Sequence, residues 1–155
     1  MTVTWRSPSP SDYDDVIAVL DDWWGGRHMS DMLPRLFFEQ FRDTSLVAVD
    51  GDGAIVAFIV AFVSPAEPDL GYIHFVGVDP SYRGQGLGAE AYRRTFDAFG
   101  GRGCTRVKAV TSAANVDSQA FHRALGFAVS ESVVDYDGPG EDRVVLTRSL
   151  VIDPH

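Results

Sequence analysis

Residues 76–88 read VGVDPSYRGQGLG, and this stretch decides the fold. An apolar run ends in Val-Asp-Pro, an arginine follows at position 83, and glycines stand at 84, 86 and 88 before the helical pattern AEAYRRTFDAF. Glycine is costly in ordered backbone, so three of them at a strand-to-helix turn indicate that a ligand approaches the main chain closely. A plain turn of this kind would account for only one of them.

Two common phosphate-binding loops do not fit this turn. A P-loop requires a lysine and then serine or threonine after its last glycine, whereas Ala89 and Glu90 follow Gly88. A dinucleotide fingerprint has its first glycine directly after the strand and an acidic residue about 20 positions later. That spacing is absent, and the turn lies in the middle of the chain.

The whole chain has the composition of one globular domain, which we expect to cover residues 1–155. It is 45% hydrophobic and 23% charged, and 155 residues bury a core without disulfides or metals. The single cysteine, Cys104, excludes an internal disulfide and fits a reducing compartment. The longest apolar run, residues 54–63, is too short to cross a bilayer, and the first residues lack the regions of a signal peptide. The sequence therefore predicts a soluble cytoplasmic protein without a membrane partner.

The charge of the chain is unevenly distributed. A net charge of -9 makes nucleic acid an unfavourable partner. Basic residues nevertheless cluster after the glycine turn: Arg83, Arg93, Arg94, Arg102, Arg106 and Lys108. They indicate either a local positive field for a compact polyanion such as a nucleotide or coenzyme, or simply a solvated helix face.

Hydrophobic periodicity predicts an α/β fold, a mixed sheet of about seven strands flanked by about four helices. The predicted helices cover residues 12–22, 31–41, 86–99 and 116–125. The predicted strands cover residues 2–6, 46–49, 54–63, 71–78, 105–111, 127–134 and 143–150.

Two motifs resemble signatures of the GNAT superfamily of N-acyltransferases. Arg83, Gly86 and Gly88, after the apolar strand, resemble its acetyl-CoA signature. Asn115 and the later run FHRALGF at 121–127 resemble its asparagine and its Y-x-x-x-G-F ending. The resemblance implies a single GNAT domain and an N-acetyltransferase that uses acetyl-CoA and no metal. It also implies that a primary amine, on a small molecule or a protein, attacks directly in a ternary complex.

The resemblance also implies which residues hold acetyl-CoA. The strand before the turn splays from its neighbour, and the backbone of Val76, Gly77 and Val78 pairs with the pantetheine arm, with the Val76 amide facing the thioester oxygen. The diphosphate lies on free amides at the start of the next helix. The residues expected at that turn are Arg83, Gly84, Gln85, Gly86, Leu87 and Gly88. Asn115 either bonds the pantetheine or caps the helix that follows it.

Two histidines are candidates for proton transfer. His74 precedes Val76 by two residues and suits a general base, because histidine titrates near neutral pH; a satisfied core histidine is the alternative. His122 stands where the family has its tyrosine general acid. An imidazolium there could protonate the leaving thiolate, or His122 could only shape the sulfur pocket. Tyr136 could reach in from the C-terminal loop instead.

Two segments could face the acceptor amine. The first contains Trp23, Trp24 and Arg27, and the second is the acidic run at 135–142 that includes Tyr136. Aromatic rings with carboxylates suit a cationic amine, while Arg27 leaves open an acceptor with a carboxylate. The alternative is a packed helix end and an acidic hairpin turn.

The departure at His122 motivates a second function. The chain could be a CoA-binding, sensing or interaction module that keeps the fold without the chemistry. Dimers are common among similar proteins, so a homodimer is a further expectation.

Overall fold

The computed structural model describes residues 2–151. Its helices are α1 (Asp12–Trp23), α2 (Leu36–Glu39), α3 (Leu87–Gly101) and α4 (Val116–Ala124). Its strands are β1 (Thr4–Arg6), β2 (Leu46–Val49), β3 (Ile55–Val63), β4 (Leu70–Val78), β5 (Arg106–Ser112), β6 (Ala128–Val129) and β7 (Arg143–Ser149). Within the described range, none of the helices has the length and apolar character needed to cross a membrane.

The strands form one seven-stranded sheet in the order β1-β2-β3-β4-β5-β7-β6. β4 and β5 pair in parallel, whereas β1 with β2, β2 with β3, β5 with β7 and β6 with β7 are antiparallel. The predicted mixed α/β fold with seven strands and four helices is confirmed.

The chain divides into two compact units, and the first contains the described residues up to Phe62 together with Ile73–Phe99. The buried residues of α1 are spaced at helical intervals, so one stripe of the helix packs into the core. That core is made of Val16, Leu20, Trp23, Leu33, Phe37, Phe38, Val47, Phe58 and Val60. The middle of β3 is buried on both faces, which explains its unbroken apolar sequence.

The second unit contains Val63–Tyr72 and the described residues from Gly100 onward. Buried residues alternate along β5 and β7, so one face of this part of the sheet is packed; they are Val107, Ala109, Val144 and Leu146. The parallel pairing runs from Leu70 with Arg106 to Tyr72 with Lys108. This pairing therefore involves the first three residues of β4, and the strand continues to Val78. The expectation of a single domain stays a prediction.

Two predicted elements are shorter than the sequence pattern indicates. The helix predicted at 31–41 is broken into a 3-10 turn (Ser30–Met32), the short α2 and a second 3-10 turn (Arg42–Thr44). Pro34 disfavours helical backbone in the residue before it, and Leu33 has φ -121° and ψ 89°. The strand predicted at 127–134 is reduced to β6, after which the Ser130 hydroxyl accepts the Val145 amide in place of a backbone carbonyl.

Candidate functional site

The glycine turn between β4 and α3 leaves its backbone accessible. Asp79 accepts the Ser81 amide at 2.9 Å, which starts a 3-10 turn at Pro80–Tyr82. Gly84 and Gly86 then adopt φ +79° and φ +78°, a conformation that side chains disfavour. A Cβ at either position would meet no atom within 4 Å. The space in front of this backbone is therefore open to a ligand.

The amides that follow this turn belong to the start of α3. Glu90 donates to the Gly86 carbonyl at 3.0 Å, so the amides of Leu87, Gly88 and Ala89 precede the first full helical hydrogen bond. Such amides and the helix dipole attract a phosphate. The Leu87 side chain is buried, so only its backbone is available, whereas Gln85 is exposed. The residues present fit a diphosphate.

Arg83 holds the turn against the end of α1. Its Nη2 donates to the Trp23 carbonyl at 2.5 Å. Carbonyls in the last turn of a helix have no helical partner and favour a cation. This contact supports a role for Arg83 in anchoring the loop.

The expected positive field around the turn is largely cancelled by carboxylates. Arg93 and Arg94 lie 2.9 Å and 3.0 Å from the carboxylate of Glu90. Arg106 pairs with Glu67 at 2.9 Å and with Asp69 at 3.2 Å. These three arginines pair with nearby acids on a solvated surface, which supports the alternative that they solvate the surface rather than form a positive field.

On β4, Gly77 is glycine because of the core behind it. A Cβ on Gly77 would lie 2.8 Å from Cζ of Phe58 and even closer to Cε1. Phe58 is fully buried and stacks on Trp23 and Phe75. The flanking Val76 and Val78 are half-buried, and their backbone role in holding pantetheine remains a prediction.

His74 is half-buried on β4 and held by two contacts from the first unit. Its Nε2 lies 2.6 Å from the Met32 carbonyl, and its ring stacks on Phe37 at 4.9 Å with an interplanar angle of 7°. Because a carbonyl only accepts, Nε2 carries the hydrogen. In the neutral ring the basic lone pair is then on Nδ1, which is the atom that a general base at this position would use.

The segment between α1 and α2 is tied back onto Asp21. The Asp21 Oδ1 accepts the amides of Met29 at 2.8 Å and Ser30 at 2.9 Å. The Met29 amide is the main cause that holds the pKa of Asp21 below its usual value. His28 lies 2.9 Å from Asp31 and 3.4 Å from Asp21, and these carboxylates, Asp31 first, raise the pKa of His28.

The three residues of this segment that were predicted to face the acceptor differ in burial. Trp23 is 5% exposed within the core, stacked on Phe58, which supports the alternative of a packed helix end. Trp24 is half-buried against Phe75 at 5.2 Å. Arg27 is exposed after Gly25 and Gly26, both with positive φ.

His122 is buried on α4. Its Nδ1 lies 2.7 Å from the Ser118 carbonyl, so this nitrogen carries the hydrogen. The rings of Phe121 and Phe127 stand edge-on to it at 5.5 Å and 5.1 Å. Burial lowers the pKa of His122, although the bond to Ser118 opposes this. The neutral ring is favoured, and its one hydrogen is already donated to Ser118.

Asn115 caps α4, since its Oδ1 accepts the Ser118 amide at 3.1 Å. This is the capping role that the sequence offered, and it leaves the side-chain amide group available. Asn115 itself is exposed.

The acidic run at 135–142 satisfies its own charges. Arg143 lies 2.9 Å from Asp137 and 3.0 Å from Glu141, and Asp142 accepts the Asp135 amide at 2.8 Å. The run is a turn held by these local contacts, which agrees with the alternative of an acidic hairpin turn. Tyr136 is 42% exposed. Its carboxylates are engaged in these contacts.

The sequence patterns did not point to several residues near these groups. Met32 and Phe37 lie 42 and 37 positions before His74, a separation that no local pattern bridges. Tyr72, two residues before His74, has its pKa raised by burial and then by Tyr136 and Asp137, so it keeps its proton at neutral pH. The spacing of Tyr72 and His74, two positions apart on β4, was the sequence signal that could have indicated Tyr72. Among residues 2–151, no cluster of histidine, cysteine and carboxylate side chains is placed to hold a metal ion.

Comparison with known proteins places most of the chain in one family. Residues 13–127 match the acetyltransferase (GNAT) family. The chain is 38% identical over 87 residues to an L-2,4-diaminobutyric acid acetyltransferase of Shouchella clausii, covering 56% of this chain and 48% of that protein. It is 34% identical over 120 residues to the enzyme of the same name from Streptomyces coelicolor, covering 71% of each. For the first of these relatives, the match therefore spans about half the protein.

A solved structure has the same fold over nearly the whole chain. It is diaminobutyrate acetyltransferase EctA from Paenibacillus lautus, in complex with L-2,4-diaminobutyric acid and coenzyme A. The TM-score is 0.74 at 21% identity, covering 99% of each chain. At this identity the likeness concerns the fold alone.

Proposed function

The chain belongs to the acetyltransferase (GNAT) family, and from this premise we propose that it transfers an acetyl group from acetyl-CoA to a primary amine by direct attack in a ternary complex. The observation that carries the proposal is the turn before α3. Gly84 and Gly86 expose backbone with positive φ and open space at the start of a 15-residue helix. This arrangement suits a diphosphate, and coenzyme A carries one.

In this proposal acetyl-CoA is held by residues of the glycine turn, of β4 and of the N-cap of α4. The amides from Gly84 to Gly88 bind the diphosphate, and Arg83 keeps the turn in place through Trp23. The backbone of Val76, Gly77 and Val78 pairs with the pantetheine arm, on the part of β4 that follows the residues paired with β5, Leu70–Tyr72. The side-chain amide of Asn115 supplies a further hydrogen bond.

His74 is the proposed general base. Its Nδ1 takes a proton from the ammonium of the acceptor, directly or through water, and the freed nitrogen attacks the thioester carbon. The Val76 amide donates to the oxygen that becomes negative. The new N–C bond forms as the C–S bond breaks, the new amide nitrogen releases its second proton to water, and the leaving thiolate takes up a proton.

His122 is a poor source of that proton at neutral pH, because burial favours its neutral form. We assign it to the wall of the sulfur pocket. A tyrosine supplies the proton instead, and the residues to test are Tyr136 and Tyr72, whose pKa is raised by burial first and then by Tyr136.

The acceptor is a small primary amine with a nearby carboxylate. Arg27 is exposed beside the half-buried Trp24, so a guanidinium and a ring are available for a zwitterion. The names of the two relatives, which are acetyltransferases of an amino acid, agree with this class.

Binding of coenzyme A tests the first half of the proposal. We expect Gly86→Ala to weaken CoA binding by tenfold or more, about 1.4 kcal/mol, because a Cβ enters the space that the diphosphate needs. Gly53→Ala is the matched control, since Gly53 also has positive φ (+84°) and open space but lies in the β2–β3 turn. Calorimetry on both variants measures the effect. Equal affinities in the two would overturn the assignment of this turn.

Turnover tests the second half. We expect acetyl-CoA to release free thiol when a panel of amino acids and diamines is added, and His74→Gln to lower kcat about 100-fold. Asp97→Asn, an exposed change on α3, is the control for a substitution outside the proposed base. Tyr136→Phe and Tyr72→Phe identify the proton donor, whereas His122→Asn should alter KM for acetyl-CoA more than kcat.

A CoA-binding module without catalysis is the second candidate function. The buried His122 favours it, because it stands in the place where the family has a tyrosine acid. Tight CoA binding with no thiol release for any amine in the panel would support this alternative.

A further inference from the structure

We propose that Asp21 is a positioning residue for His74, acting through the segment between α1 and α2. This inference rests on the proposed function for the identity of the base, but its structural part is independent of activity. Asp21 belongs to none of the groups assigned above to acetyl-CoA or the acceptor.

The first step is the fold of the segment itself. Gly25 and Gly26 turn the chain with φ +65° and φ +88°, and the Gly26 amide donates to the Asp21 carbonyl at 2.8 Å. The Asp21 carboxylate then accepts the amides of Met29 and Ser30 with one oxygen. Both the backbone and the side chain of a single residue therefore fix the segment.

The second step joins this anchor to the turn that follows. Ser30 opens the 3-10 turn that ends at Met32, and the amide of Met32 donates to the Met29 carbonyl at 2.9 Å. The two amides bonded to Asp21 therefore lie at the start of this turn, and the Met32 carbonyl lies at its end. Displacement of the first residues moves that carbonyl.

The third step is the contact with the base. The Met32 carbonyl accepts from Nε2 of His74 at 2.6 Å, and Phe37 holds the ring plane by parallel stacking. Together these two contacts favour one orientation of the ring, in which Nδ1 has one direction. Without the carbonyl, either nitrogen could take that place and the base would be misplaced. Hydrogen bonds thus connect Asp21 to Met29 and Ser30, Met29 to Met32, and Met32 to the ring of His74.

Asp21→Ala tests the inference, with three comparison variants. In the wild-type protein the Nε2–H of His74, held by a carbonyl, gives an exchange-protected signal in 1H–15N spectra, assigned by its absence in His74→Gln. We expect Asp21→Ala to lose this signal and to lower kcat about tenfold, since small misplacements of reacting groups are costly. Asp21→Asn keeps an oxygen that accepts both amides, so it should recover the signal and most of kcat. Asp22→Ala, an exposed aspartate one position later on α1, should leave both unchanged.

The outcomes separate this inference from the proposed function. Loss of the signal without acetylation of any amine would support the positioning of His74 and contradict the proposed activity. A folded Asp21→Ala protein that retains the protected signal and normal kcat would overturn the inference. If Asp21→Ala fails to fold, Asp21→Glu keeps the charge but displaces the accepting oxygens by one methylene group. A weakened His74 signal in that variant supports the inference, and an unchanged one overturns it.

Discussion

At the scale of the residue, glycines of the same motif serve different purposes. Gly84 and Gly86 have positive φ with open space before them, where we propose that the diphosphate lies. Gly77 has no positive φ, and the buried Phe58 ring explains it. Histidines differ in the same way: His74 is half-buried with a definite free nitrogen, whereas His122 is buried and neutral. Residue type alone did not distinguish these roles.

Gly77→Ala should destabilise the protein. The new methyl group overlaps the Phe58 ring, which is enclosed by Trp23 and Phe75 and has little room to move. Overpacking of this kind costs about 1–3 kcal/mol of unfolding free energy. Urea unfolding measures it, with Gly51→Ala, where a Cβ meets nothing within 4 Å, as the control. A loss no larger than in the control would mean that the ring moves aside freely.

At the scale of the element, both ends of α1 make contacts that connect it to parts of the proposed site. Its N-terminus is fixed by Asp12. The carboxylate of Asp12 accepts hydrogen bonds from Nη1 and Nη2 of Arg6, at 2.7 Å and 3.0 Å, and from the Ser9 amide at 2.7 Å. Its C-terminus offers the Trp23 carbonyl to Arg83. The helix thereby links strand β1, the proposed diphosphate turn and the segment that holds His74.

Asp12→Ala should cost about 2 kcal/mol, because it removes charged hydrogen bonds from a 6%-exposed carboxylate. The bond from Arg6 is the main cause that lowers the pKa of Asp12 in the folded protein. A lowered carboxyl pKa stabilises the fold above the ordinary value of about 3.9. That contribution is lost as the pH falls through the lower, folded-state value.

Urea unfolding at pH 7 and across the acid range checks the sign of this effect. The difference between wild type and Asp12→Ala should shrink as the pH is lowered below 4 or so, about the ordinary aspartate pKa. The exposed Asp15 of the same helix is the control site for alanine substitution. A difference that grows in acid would contradict the assigned role.

At the scale of the whole molecule, one sheet runs through two compact units. The residues proposed to hold the diphosphate and the base lie in the first unit, and Asn115, His122 and Tyr136 lie in the second. If the chain is a single cooperative domain, a ligand bound by residues of the first unit should stabilise all of it.

Coenzyme A at 100 times its dissociation constant should raise the free energy of unfolding by about 2.7 kcal/mol. For a chain of this length the midpoint of thermal unfolding then rises by about 5–10 °C. Calorimetry should record one transition that moves as a whole. Two transitions, of which coenzyme A moves only one, would show that the units unfold separately and that the single-domain prediction is wrong.

The local sequence was enough to predict the mixed α/β fold, the glycine turn before α3 and the family. These depend on hydrophobic period, on proline and glycine, and on motifs a few residues long, all of which act between near neighbours. The tertiary structure alone decided that Trp23 is core, that Gly77 makes room for Phe58, and that the acidic turn binds its own arginine. It alone brought the Met32 carbonyl to His74. Such contacts join residues tens of positions apart, and their partners are set by how the elements pack rather than by any pattern along the chain.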